Sequence, residues 1–214
     1  MIPLADVWAR KGLLAAQLAG NALLLLLGYW WLSLPDRTVW QVALSVFVAL
    51  VIIFAALWLH AAALAAFHPQ PPAGGLAWKA LRRLPLFMIC LLLLAAVSVA
   101  LLWLASWRRS TQVGVAALAL ALLPLISQAA GGGFSVRAAL RIPGQWRYWP
   151  GVVILVFAGA YIPYRLIWWI PELGSFGGQA ASVAARFGLA YVLAVTAWFS
   201  LAALIGRLAR RETG

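Results

Sequence analysis

Acidic residues are almost missing from this chain, which contains 4 Asp and Glu among its 214 residues, against 16 Lys and Arg. Charged residues make up only 9% of the sequence, whereas they make up about a quarter of an ordinary soluble domain. Hydrophobic residues make up 66%, so a soluble fold would lack the polar residues that cover a surface. Disorder is excluded too, because it requires low hydrophobicity. The composition indicates an all-α polytopic membrane protein, since helices satisfy their own backbone polar groups in lipid.

Cysteine and histidine are scarce as well, because Cys90 is the only cysteine and His60 and His68 are the only histidines. A single thiol permits no intramolecular disulfide, and no Cys or His cluster has the spacing of a zinc site. On one helix the two histidines would stand about 12 Å apart, which is too far to share a metal ion. We therefore predict no metal ion and no cofactor.

Catalytic constellations are also missing. The acidic residues Asp6, Asp36, Glu172 and Glu212 all lie at the ends of apolar runs or in the tails, so no carboxylate pair is available in mid-membrane for acid–base chemistry. The glycines at 131–133 are not followed by Gly-Lys-Ser/Thr, and no serine stands in a nucleophile elbow. We therefore predict that the chain is not an enzyme.

Six apolar runs are present, and a spanning helix needs roughly 20 mostly apolar residues. Prolines, glycines and basic residues separate the runs. Pro163 falls inside the fifth run and is expected to bend it. We predict one integral membrane domain over residues 1–214, with spans at 12–34, 39–67, 84–107, 112–130, 149–169 and 186–206.

Lysine and arginine are divided unequally between the two sides of this six-span topology, with eleven on the side of both termini and five on the other. The side with more positive charge stays in the cytoplasm, so we predict cytoplasmic termini and a plasma (inner) membrane location. Trp residues at the ends of most spans agree with two interfacial belts. A net charge of +12 would suggest nucleic-acid binding in a soluble protein, but here the basic residues lie between apolar runs.

Two basic segments precede predicted helical hairpins on the cytoplasmic side, and they resemble each other at an offset of 58 residues, 79–85 against 137–143. The similarity fits a parallel repeat, but it also fits chance in a chain so rich in Ala, Leu and Arg. We expect these segments to contact anionic headgroups or a membrane or cytoplasmic protein partner, unless they only orient the helices. The candidate contact residues are Lys79, Arg82, Arg83, Arg137, Arg141 and Arg147.

Gln17 and Asn21 are polar residues within the first span, and their four-residue spacing places them on one helical face. We expect them to form hydrogen bonds between helices, although a substrate contact is the alternative. Arg165 lies near the outer end of the fifth span. It is expected to reach the headgroups and to pair with Glu172 or stack on an indole, and anion binding is its alternative role.

Three hypotheses for the function remain. The first is a non-catalytic accessory or assembly subunit that acts through helix packing and lipid contact. The second is a permease component that passes a neutral or anionic amphiphile along weakly polar side chains. The third is an enzyme that works on headgroups at the cytoplasmic face. The missing catalytic groups favour the first hypothesis over the other two.

Overall fold

The computed structural model describes residues 4–35, 37–68, 76–104, 109–131, 135–171 and 175–213. Within these ranges the secondary structure is helical, and no strand is found. The elements in chain order are α1 (Leu4–Trp8), α2 (Lys11–Leu32), α3 (Val39–Phe67), α4 (Leu76–Leu104), α5 (Arg109–Gly131), α6 (Val136–Gly144), α7 (Tyr148–Val156), a π-helical turn (Phe157–Tyr161), α8 (Ile162–Trp168) and α9 (Phe176–Thr213).

Among the described residues, five helical segments are long and apolar enough to cross a membrane, and these support a multi-pass membrane protein. The predicted span 112–130 lies within α5, whose described apolar part, Ala116–Gly131, is shorter than the other segments. The six-span count therefore stays a prediction. The five segments are Lys11–Leu32, Val39–Phe67, Ala80–Val97, Tyr148–Trp168 and Phe176–Arg210.

Helix α4 begins before the predicted span 84–107 and continues through Pro85. Proline usually interrupts a helix, because it lacks the amide hydrogen and crowds the preceding turn. Here Ala80, Leu84 and Phe87 are all buried against neighbouring helices, and their spacing of four and three residues requires one continuous helix across Pro85. Packing of this face outweighs the cost of the proline.

Helix α9 also extends beyond its predicted span, 186–206, at both ends. At its start Ser175 Oγ accepts the amide hydrogen of Gly178 at 3.1 Å, so glycines that predict a loop lie in a capped first turn. At its other end, Arg210 donates to the carbonyl oxygen of Phe67 at 3.3 Å and lies 3.6 Å from a carboxylate oxygen of Asp6. These contacts hold the last turns of α9 against α1 and α3.

The rod formed by α7, the π-helical turn and α8 is irregular just before Pro163. Proline removes the donor that would bond the carbonyl of Gly159, four residues earlier and inside the π-helical turn. Gly159 also lies close to α9, because a Cβ atom there would be 2.4 Å from the Cβ of Ala197. The absence of a side chain at Gly159 lets the rod and α9 approach closely, as small residues do between membrane helices.

One end of the bundle holds most of its core, and we call it the packed end. Residues 61–67 of α3 and the following His68 are all buried there, together with residues 126–131 of α5 and most of residues 197–209 of α9. The rings of Phe67 and Phe199 meet edge to face at a centroid distance of 4.9 Å. Both α1 and the end of α9 contact this core, so the two ends of the described chain lie on the same side of the bundle.

The opposite half of the α2–α3 pair is exposed, and we call residues 23–32 and 39–54 the open hairpin. None of its residues is buried. Its two helices are joined by the indole of Trp31, whose Nε1 donates to the carbonyl oxygen of Ser45 at 2.8 Å. The side chains of Thr38 and Gln41 cap the start of α3 by reciprocal hydrogen bonds. The open hairpin is therefore an exposed, largely apolar surface.

Candidate functional site

Gln17 lies where α2 packs on α3 and forms the expected bond between helices, whereas the described bonds of Asn21 stay within α2. Gln17 is fully buried, and its Nε2 donates to the carbonyl oxygen of Leu59 at 2.6 Å. The Nδ2 of Asn21 donates to the carbonyl oxygen of Gln17 at 2.8 Å and lies 3.4 Å from the Gln17 side-chain oxygen. Gly20 adds to the close approach, since a Cβ there would be 2.9 Å from a methyl group of Leu59.

Other side chains also donate to main-chain carbonyls of a neighbouring helix, and we call four of them, together with Gln17, the interhelical donors. The arrangement satisfies polar groups that lipid cannot hydrate. The four are Trp31, which donates to Ser45 across α2 and α3; Tyr148, which donates to Leu120 of α5 at 2.5 Å; Tyr191, which donates to Leu18 of α2; and Arg186, which donates to Leu166 and Trp169 at the end of α8.

Sequence reasoning identified Gln17 but missed the roles of the other donors. Trp31 is predicted as an interfacial indole, and Tyr191 stands unnoticed in an apolar run. The acceptor of Tyr191 is a carbonyl oxygen, which every residue carries, so no side chain marks its partner; Trp31 also lies 2.9 Å from the hydroxyl oxygen of Ser45. A tyrosine inside a span is the only available signal, because its hydroxyl group needs an acceptor in lipid.

The second basic segment forms the short helix α6. Ser135 caps it, with its Oγ accepting the amide of Ala138 at 3.3 Å. Ala139 and Ile142 are buried against the bundle, which orients the helix. The buried side of α6 therefore fixes which of its residues face outward.

Arginine and apolar side chains share the outward face of α6. Arg137 and Arg141 are exposed, one turn apart. Val136 and Leu140 are exposed beside them. A helix that presents apolar side chains next to arginines suits the boundary between headgroups and acyl chains.

Trp146 and Arg147 continue this surface between α6 and α7. The guanidinium of Arg147 lies 5.1 Å from the ring centroid of Trp146, which is 77% exposed. Trp149 fixes the junction, because its Nε1 donates to the carbonyl oxygen of Pro143 at 3.0 Å. The α6 arginines, Trp146 and Arg147 thus form one aromatic–basic patch.

The first basic segment lies in the opening turns of α4. The guanidinium of Arg82 lies 5.1 Å from the ring of Trp78, and both side chains are exposed. Arg83 is partly exposed, and the backbone of Lys79 lies one turn before it, although the Lys79 side chain is outside the described part. The segment forms a second aromatic–basic patch, again at the packed end.

The five candidate residues whose side chains are described, Arg82, Arg83, Arg137, Arg141 and Arg147, therefore belong to two patches at one end of the bundle. Helix α6 packs against α5, α7 and α9, whereas α4 packs mainly against α3 and α5. The similar segments also differ in form, because 79–85 continues into the span α4 while 137–143 ends before α7. Leu84 and Ile142 occupy equivalent positions and are both buried.

The two histidines bond to different partners. The Nδ1 of His60 lies 2.9 Å from the carbonyl oxygen of Ala56, and its ring lies 5.5 Å from that of Trp198. His68 is buried and shares a 3.3 Å hydrogen bond with Gln128 of α5. In the part of the chain that the structure describes, no group of His, Cys, Asp and Glu side chains is arranged to hold a metal ion.

Comparison with known proteins leaves the site to be interpreted from its own geometry. The chain matches no protein-family model, and no curated protein and no solved structure is significantly similar to it.

Proposed function

We propose that the chain is a non-catalytic, multi-pass subunit of the plasma membrane that acts through helix packing and contact with anionic lipids. The interhelical donors carry the proposal. Each of these five side chains donates to a main-chain carbonyl of an adjacent helix. Polar groups used in this way hold helices together, and the hydrogen engaged in each bond is not available to a passing solute.

The position of the donors supports the same role. Gln17 and Tyr191 join α2 to α3 and α9, and Tyr148 joins α7 to α5. The bonds join consecutive helices, as in α2 and α3, and helices far apart in sequence, as in α2 and α9, so together they fix the arrangement of the bundle. A permease path would instead be lined by polar side chains facing open space.

The two aromatic–basic patches supply the lipid contact. Each basic residue near an anionic leaflet contributes about 1 kcal/mol of attraction. The indoles of Trp78 and Trp146 lie beside Arg82 and Arg147, at the level where tryptophan prefers the interface. Both patches lie at the packed end, which we assign to the cytoplasmic leaflet by the excess of positive charge there.

The topology belongs to the proposal, with α5 as a sixth span and both termini in the cytoplasm. A reporter fused after Gly214 should then give a cytoplasmic signal, whereas one inserted between Leu173 and Gly178 should give an external signal. Two signals from the same side would overturn the six-span topology.

Lipid contact is tested by native mass spectrometry of the purified chain. The variant Arg82→Gln/Arg83→Gln/Arg137→Gln/Arg141→Gln leaves Arg10, Lys11 and the C-terminal arginines to preserve orientation. We expect it to retain phosphatidylglycerol at least about tenfold more weakly, because each charge is worth about 1 kcal/mol. The matched variant with lysine at the same four positions should retain the lipid. If wild type, the glutamine variant and the lysine variant all retain phosphatidylglycerol equally, these arginines serve only to orient the helices.

The subunit role is tested by mass. Chain extracted from its native membrane in mild detergent should elute in a complex of fixed stoichiometry, above the 23.1 kDa of one chain. A homogeneous single chain from native membranes would contradict the role, whatever the lipid measurement shows. The two experiments therefore test the two halves of the proposal separately.

A further inference from the structure

At the end of the rod opposite the packed end, a cleft of about 410 Å³ opens where the chain leaves α8. We call it the aromatic cleft, and its size lies within the range of small-molecule sites. Tyr161, Trp168 and Trp169 supply aromatic walls, Ile170 adds apolar surface, and Arg165 is the charged residue that lines it.

Helix spacing explains why these side chains converge. Tyr161, Arg165 and Trp168 are four and three residues apart, so they lie along one face of the helix. The π-helical turn ends at Tyr161, which is the first residue of this face. Such turns inside α-helices occur frequently at functional sites.

Arg186 joins α9 to the wall of the cleft. It is 8% exposed, and from α9 it donates to the carbonyl oxygens of Leu166, at 3.4 Å, and of Trp169. Both acceptors belong to residues that line the cleft. The buried guanidinium fixes the last turn of α8 and places a second positive charge behind the cleft wall, at the helix end that favours it.

The charge around the cleft is positive in the part of the chain that the structure describes. Arg165 is exposed, and the described carboxylate of Asp6 lies at the packed end. Glu172, the expected partner of Arg165, lies outside the described residues. A guanidinium in aromatic surroundings recognises phosphate oxygens, because its parallel N–H groups match their geometry.

We propose that the aromatic cleft binds the phosphodiester of an anionic phospholipid in the leaflet at this end of the bundle. Arg165 bonds the phosphate, and the aromatic residues contact the glycerol and the start of the acyl chains. The apolar surface continues from the cleft along the π-helical turn and α7 through the exposed side chains of Phe157, Ile154 and Val153, where an acyl chain can lie. Inorganic phosphate fits less well, since one accessible guanidinium among apolar walls satisfies few of its oxygens.

This site is separate from the two patches at the packed end, and it requires a membrane-embedded chain but not an accessory role. The experiment measures binding of phosphatidylglycerol to the purified full chain by native mass spectrometry. Arg165→Gln is compared with Arg37→Gln, which removes another exposed arginine in the loop between α2 and α3. Elution volume and thermal unfolding of each variant verify that it is folded.

We expect Arg165→Gln to weaken phosphatidylglycerol binding by about tenfold, the effect of one charge-assisted hydrogen bond, while Arg37→Gln binds as wild type does. Phosphatidylcholine should bind more weakly than phosphatidylglycerol to wild type, and this preference should disappear in Arg165→Gln. Trp168→Ala should weaken both lipids, since it removes an apolar wall.

Wild-type binding by Arg165→Gln would overturn the proposal. So would displacement of phosphatidylglycerol by millimolar inorganic phosphate, which would identify a site for a soluble anion. The variant with glutamine at Arg82, Arg83, Arg137 and Arg141 separates the two lipid hypotheses. It should keep the Arg165-dependent lipid even where it loses lipid from the packed end.

Discussion

The two halves of α3 are similarly hydrophobic but meet different surroundings. Its most apolar stretch of 18 residues has a mean hydropathy of 2.9 and contains no buried residue. Residues 61–67, at the other end of the same helix, are all buried. Within this helix, hydropathy therefore predicts insertion into the membrane but not contact with protein.

Residue size distinguishes the halves better. The buried run is Ala-Ala-Ala-Leu-Ala-Ala from 61 to 66, whereas the open hairpin carries Phe47, Leu50 and Phe54. Small side chains let helix backbones approach closely, and lipid tails are as apolar as leucine, so large residues gain little by leaving lipid. The packed end is stabilised by close approach, and the open hairpin is left for lipid or a partner.

The largest loss of stability is expected at Gly206, where the backbone of α3 leaves no room for a Cβ atom. In Gly206→Ala the new Cβ would lie 2.1 Å from the carbonyl oxygen of Phe67. Phe67 is buried and cannot move aside, so we expect the free energy of unfolding to fall by about 3 kcal/mol. Denaturant titration in detergent micelles measures the change.

Gly188→Ala is the matched control, because Gly188 lies in the same helix with nothing within 4 Å of its new Cβ. There the added methyl group should stabilise α9 by about 0.5–1 kcal/mol, as alanine does in a helix interior. Equal destabilisation by the two substitutions would mean that α9 does not pack on α3 as described.

A smaller effect is expected from shortening a leucine at each end of α3. Leu64 is 1% exposed and Leu50 is 60% exposed. Leu64→Ala should lower the free energy of unfolding by about 2 kcal/mol, because it leaves a cavity among packed helices. Leu50→Ala should cost less than about 0.5 kcal/mol, since lipid fills the vacated space.

The same pair of variants sharpens the comparison in native membranes. Suppose that Leu50→Ala lowers the free energy of unfolding as much as Leu64→Ala in native membranes but not in the purified chain. A partner that is lost on purification then covers the open hairpin. A large cost for Leu50→Ala in purified, single chains would contradict the exposure of this half.

Much of the fold follows from the sequence, and the exceptions have physical causes. Apolar runs predict α2, α3 and the rod that starts with α7. Unpaired backbone groups are costly in lipid, so an apolar run in a membrane has few alternatives to a helix. Helix ends are predicted less well, since proline and glycine signals are local. Pro85 is expected in the first turn of a span and Gly177 in a loop, but the packing of Leu84 and the Ser175 cap place both residues inside longer helices.

The candidate site shows the same division. The basic segments are visible as charge, and helical spacing predicts the shared face of Arg137 and Arg141. The aromatic cleft is not visible, because it depends on where α8 ends and on Arg186, which lies on a different helix. Arg186 is predicted only as a charge at the start of a span, whereas the structure shows it buried.

The smallest effects are expected from removing one interhelical donor in each half. Gln17→Met keeps the volume of the side chain but loses the 2.6 Å hydrogen bond to Leu59. We expect a loss of about 1 kcal/mol, within the range for polar contacts between membrane helices. Trp31→Phe should cost about half as much, because Trp31 is partly exposed at the helix end, where water can replace the bond to Ser45.

Asn21 makes this comparison stricter. Asn21→Ala removes a 2.8 Å bond to a main-chain carbonyl and a longer contact, 3.4 Å, to the side chain of Gln17. Only the longer contact depends on the Gln17 side chain, so the effects of Gln17→Met and Asn21→Ala should add within about 0.5 kcal/mol. A stronger coupling would show that the two amides act as one unit, and that the packed half depends on a polar network as well as on close helix approach.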